Sequence, residues 1–71
     1  MQRYAKEFYS SDVIHKAIND YRAIASISVS EEVRYYVCDF SNCVIDPNTV
    51  ILEFNNYLIE LMHTRGASAE A

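Results

Sequence analysis

Positive charge is scarce in this chain. Six Lys and Arg stand against ten Asp and Glu, giving a formal net charge of −4, and the basic residues gather nowhere. Nucleic-acid binding leaves a basic patch or stripe on a domain, so no nucleic-acid partner is expected. Long apolar runs are also missing. No segment approaches the roughly 20 apolar residues that a membrane span needs, and no membrane association is expected. The opening Met1-Gln2-Arg3-Tyr4-Ala5-Lys6-Glu7 lacks the apolar stretch of a secretory leader. The expected location is the cytoplasm.

Cysteine is nearly absent, with Cys38 and Cys43 the only thiols. In a reducing cytosol such a pair stays unbridged. Their spacing matches neither the redox Cys-x-x-Cys pattern nor a complete zinc site. Cys38 reads as a small buried strand residue and Cys43 as a loop residue. The chain holds one proline and one glycine, at opposite ends of one predicted helix. No internal repeat and no linker interrupts it.

What the chain has in quantity is apolar surface. Of its 71 residues 51% are hydrophobic, with six Tyr and three Phe, which argues against disorder. A domain near this size hides only about 60% of the surface its unfolded chain exposes. Its core rarely supplies more than ~3–5 kcal/mol of net stability. Oligomerisation is one common remedy.

The surplus lies in the last helix, expected over 47–65. Asp46 before Pro47 is a strong start, an N-cap side chain followed by a residue with no N–H to satisfy. Gly66 is a plausible C-cap. Val50, Phe54, Tyr57, Leu58 and Leu61 share one face, and Ile51 and Met62 widen it. Leu52 and Ile59 fall toward the far side, leaving Glu53, Asn56, Glu60 and His63 as the wet stripe. A surface helix needs an apolar arc of only ~100°, so this one predicts a partner.

Upstream, residues 3–9 read as a short strand with Phe8 inward. Ser10, Ser11 and Asp12 suit a helix start. Val13, Ile14, Ala17, Ile18 and Tyr21 then form one helical face, opposite His15, Lys16, Asn19, Asp20 and Arg22. From Ile24 the period becomes two: Ala25, Ile27 and Val29 alternate with Ser26, Ser28 and Ser30, as in a strand with one buried face. Glu31 and Glu32 are expected to turn the chain into a strand from Val33 to Phe40, rich in strand-favouring side chains. Tyr36, Cys38 and Phe40 lie on one of its faces, and Val33, Tyr35 and Val37 on the other.

The expected fold is α+β, β-α-β-β-α, within a single domain over 1–66 and a loose tail over 67–71. The third strand sits between the first two, giving order 1-3-2, with both helices on one face and a right-handed crossover. This is a ferredoxin-like pattern without its last strand. The outer edge of the first strand is then open, and open edges invite another strand.

Chemistry is thinly supported. Cys43 with His15 or His63 would need an orienting third group, which the sequence does not supply. Cys38, Cys43 and one His would still lack a fourth metal ligand. Glu31 and Glu32 read as solvated turn residues. No catalytic residue, metal ligand or cofactor is expected. The candidate residues are those of an interface: Leu52, Ile59, Met62 and Tyr57 on the last helix, and Tyr4 on the first strand. Tyr35 is another tyrosine of the kind enriched at interfaces.

Four short motifs follow one another here: Phe8-Tyr9-Ser10, Ile14-His15-Lys16-Ala17, Ile27-Ser28-Val29 and Glu53-Phe54-Asn55-Asn56-Tyr57-Leu58. With them, the segment from Phe8 to the end of the last helix resembles the His-Xaa-Ser system protein D family. The acidic-then-Arg finish of that family appears only loosely, as Glu60 and Arg65. The resemblance implies an accessory protein encoded beside radical S-adenosylmethionine maturases that modify a peptide precursor. Iron–sulfur chemistry would belong to those enzymes. The expected role is therefore a non-catalytic interaction module, a homodimer or bound to a maturase or precursor peptide, taking a strand at its open edge. The rival expectation is a small homodimeric regulator or antitoxin-like protein.

Overall fold

A computed structural model describes the backbone of residues 1–70 and the side chains of residues 1–63. The elements follow the order β1 (Gln2–Ala5), α1 (Ser11–Asp20), β2 (Ser26–Glu31), β3 (Tyr35–Ser41) and α2 (Pro47–Glu70). The fold is α+β, and the sheet has the order β1-β3-β2 with both pairings antiparallel. The helices share one face, where Tyr4, Val13, Ile14, Ala17, Cys38, Phe54 and Leu58 form the core. Among the described residues no helix is long and apolar enough to cross a membrane.

Both helices start where the sequence indicates. Ser10 caps α1, its Oγ accepting from Val13 N–H at 3.3 Å. Asp46 caps α2, accepting from Thr49 N–H at 3.2 Å. Phe54 is the centre of the core. Its ring meets Phe40 at 5.1 Å and Tyr21 at 5.4 Å, both edge-to-face, the geometry that the ring quadrupoles favour.

Several boundaries differ from expectation. The first strand ends at Ala5, whose carbonyl accepts from the N–H groups of Phe8 and Tyr9. That turn breaks the alternation, so Phe8 points outward at 67% exposure while Tyr4 and Tyr9 meet inside at 5.4 Å. Glu31 still belongs to β2, and the turn falls at 32–34, leaving Val33 outside β3. Helix α2 runs through Gly66 rather than stopping at Arg65. The side chains of the expected 67–71 tail lie outside the described residues, as does Ala71 altogether.

Glu31 and Glu32 are not free turn carboxylates. Each reaches across β3 to a cation, Arg3 in β1 or Lys6 just past its end, one on either face of the sheet. Lys6 Nζ meets Glu31 at 2.7 Å and lies 5.3 Å from the Tyr36 ring centre. Arg3 meets both oxygens of Glu32, at 3.2 and 3.3 Å. Arg3 stands opposite Val37 in register, and Val37, on the face away from the helices, is buried.

Candidate functional site

The residues expected at an interface separate into three groups. Tyr4 is not on the surface: it lies in the core, 5% exposed, with Phe54 6.0 Å away. Burial raises its phenol pKa, with smaller contributions from Cys38 and Tyr9. Tyr57 and Met62 are half-buried against the core. The Tyr57 hydroxyl donates to Asp20 at the end of α1. This bond holds the phenol pKa up and, together with Lys16, holds the Asp20 carboxyl below its usual range. Leu52 and Ile59 are exposed, at 62% and 46%.

Helix α2 thus has two flanks with different tasks. Tyr57 turns toward α1. Asn55 turns toward β1, where its Oδ1 accepts from the Tyr4 hydroxyl at 2.6 Å. On a helix, residues three and four apart are surface neighbours. Around Asn55 those neighbours are Ile51, Leu52, Leu58 and Ile59, of which Leu58 is turned into the core, with Met62 one turn beyond. Leu52 and Ile59 are the exposed apolar residues next to Asn55 on the helix surface.

The edge itself offers few backbone groups. Lys6 N–H bonds to Arg34 C=O across the β1–β3 pair. Antiparallel ladders alternate between bonded and non-bonded pairs, so Tyr4 and Gln2 also face β3. The N–H and C=O of Arg3 and the N–H of Ala5 face outward, and Ala5 C=O is already used by Phe8 and Tyr9.

Both thiols are free. Cys38 is buried and its pKa is pushed up to about 11, by burial and then by Asp39. A thiol so placed is a poor nucleophile. Cys43 is half-buried in the loop before α2, while His15 and His63 are exposed on separate helices. Among the described residues no three His, Cys, Asp or Glu side chains are gathered as a metal would need. Tyr35 is 40% exposed and lies on the helix-free face of the sheet.

Sequence reasoning missed that β2 is also a free edge. The strand order alone carried that signal, since any three-stranded sheet has two edges.

No family model, no curated protein and no solved structure matches this chain.

Proposed function

We propose that this protein is a non-catalytic interaction module that takes an extended segment of a partner along β1, beneath the overhanging flank of α2. The observation that carries this reading is the position of Leu52 and Ile59, exposed beside Asn55, the residue that ties α2 to the edge strand. Strand addition draws affinity from main-chain hydrogen bonds and selectivity from side-chain pockets. This edge has a few outward backbone groups for the first, and the apolar residues of α2 next to Asn55 would serve the second. The resemblance to the His-Xaa-Ser system protein D family gives the partner its class: a precursor peptide, or the radical S-adenosylmethionine maturase that acts on it. The module would bring peptide and enzyme together while the enzyme supplies the chemistry.

The test is co-purification from the native host with a tagged chain, with partners identified by mass spectrometry. The expected result is a maturase or its peptide, lost when Leu52→Asp and Ile59→Asp are combined in a chain that still folds. Capture of the same partner by the double variant overturns the reading. So does a gene neighbourhood holding a toxin and no maturase.

A further inference from the structure

A cleft of about 330 Å³ lies between α1 and β2, beside the outer strand farthest from β1. Its floor is apolar: Ile18 of α1, Ala25 just before β2, and Ile27 within it. Its walls carry three polar side chains, His15 and Asn19 from α1 and Arg22 from the turn that follows. No lining residue is acidic. A cleft of roughly 300 Å³ or more, with an apolar floor and a few polar groups, has the make-up of a small-molecule site.

Those polar groups are unspent. Among the described residues the side chains of His15, Asn19 and Arg22 make no hydrogen bond and no ion pair. Arg3, Lys6 and Lys16, by contrast, each hold a carboxylate. The acids closest in sequence or strand face elsewhere. Asp20 is engaged by Lys16 and Tyr57, and Glu31 reaches across β3 to Lys6. Nor does the end of α1 call on the guanidinium. The carbonyls of Ala17, Asn19 and Tyr21 accept from the backbone N–H groups of residues 21, 22, 24 and 25. The strand adds a donor of its own. Glu32 N–H bonds to Tyr35 C=O, so by alternation along the β2–β3 register the Ile27 N–H faces away from β3.

We infer that this cleft binds a small organic carboxylate with an apolar body. The planar guanidinium of Arg22 matches the two carboxylate oxygens, and Asn19 and the Ile27 N–H offer further donors. The apolar body lies on Ile18, Ala25 and Ile27 and excludes water from them. A bare inorganic anion would leave that floor wet, and a neutral molecule would leave Arg22 without a counter-charge. The inference is independent of the proposed function, since it uses neither β1 nor α2.

The test is a titration of the full chain with hexanoate, followed by amide chemical shifts in nitrogen-15 correlation spectra. The net charge of −4 repels anions in general, so a response confined to one place reports a site. The expected result is saturable binding at millimolar hexanoate, with the largest shifts at Ile18, Asn19, Arg22 and Ile27. Arg22 is exposed, and the same spectra show that Arg22→Gln is folded. That variant should bind hexanoate at least tenfold more weakly. Hexanamide, which keeps the chain without the charge, and inorganic phosphate, which keeps the charge without the chain, should each lose at least tenfold in the native sequence. No saturation, shifts centred away from the cleft, or undiminished binding by folded Arg22→Gln overturns the site. Equal binding of hexanamide or of phosphate overturns the ligand class.

Discussion

The Tyr4 hydroxyl on β1 and the Asn55 amide oxygen on α2 meet at 2.6 Å across 51 residues of chain. They join an edge strand, held by the sheet on one side only, to the longest helix. Tyr4→Phe keeps the ring against Phe54 and Tyr9 and removes only the bond. A hydrogen bond of this kind contributes ~1 kcal/mol net, so urea unfolding should show that loss with an unchanged slope. Tyr4→Phe combined with Asn55→Ala should cost little more than the larger single change. Full additivity of the two losses would show that the bond contributes nothing.

The two thiols should differ in reactivity. Cys38 has no exposed surface and its pKa is pushed up to about 11, so both access and thiolate fraction are low. Cys43 lies in the loop before α2, half-buried. Brief iodoacetamide treatment of the folded protein should label Cys43 alone, and denaturant should release Cys38. Peptide mass spectrometry reads the two sites separately. Equal labelling in the folded state would contradict the burial of Cys38.

Much of this fold was legible in the residues, for identifiable reasons. Ser10 and Asp46 announce their helices because a cap is a local transaction between a side chain and an N–H three residues on. The Ser26–Ser30 alternation announces β2 because a strand exposes one face. Phe8 was misread because whether a strand continues depends on where its carbonyls find partners, and Ala5 C=O finds them in a turn. Tyr4 shares the strand parity of Phe8, which was read as inward, so its burial was legible, and its assignment to an interface went against that pattern. The clamps from Lys6 to Glu31 and Arg3 to Glu32 join residues distant in sequence, and no local pattern carries them. Leu52 and Ile59 were legible as surplus, but that their helix neighbour Asn55 is tied to β1 is a contact across 51 residues that no local pattern carries.

Stability should fall at alkaline pH. The Cys38 thiol, ordinarily near 9.0, is pushed up to about 11 by burial. Above pH 9 the unfolded chain releases this proton while the folded chain retains it. The unfolded state then binds fewer protons, and stability declines as pH rises through this window. Burial shifts Tyr4 and Tyr21 in the same direction, so the decline continues as they titrate. Melting temperature should be level near neutrality and drop beyond pH 9, less steeply through that window in Cys38→Ala. A flat profile in the native sequence would mean that these groups keep ordinary values in the folded chain.

Leu52 and Phe54 sit two residues apart on α2 and should answer substitution in opposite ways. Phe54 is fully buried and packed against Tyr4, Tyr21 and Phe40, so Phe54→Ala removes the centre of the core and leaves a cavity. Such changes cost ~3–5 kcal/mol, comparable with the whole stability of a domain this small. The expected result is a chain without a cooperative melt. Leu52→Asp and Ile59→Asp change positions already in water, where substitutions stay within ~0.5 kcal/mol. The double variant should melt near the native temperature while losing whatever binds beside β1. Should it instead unfold like Phe54→Ala, those side chains would be structural, and the overhang of α2 would lose its reading as a docking ceiling.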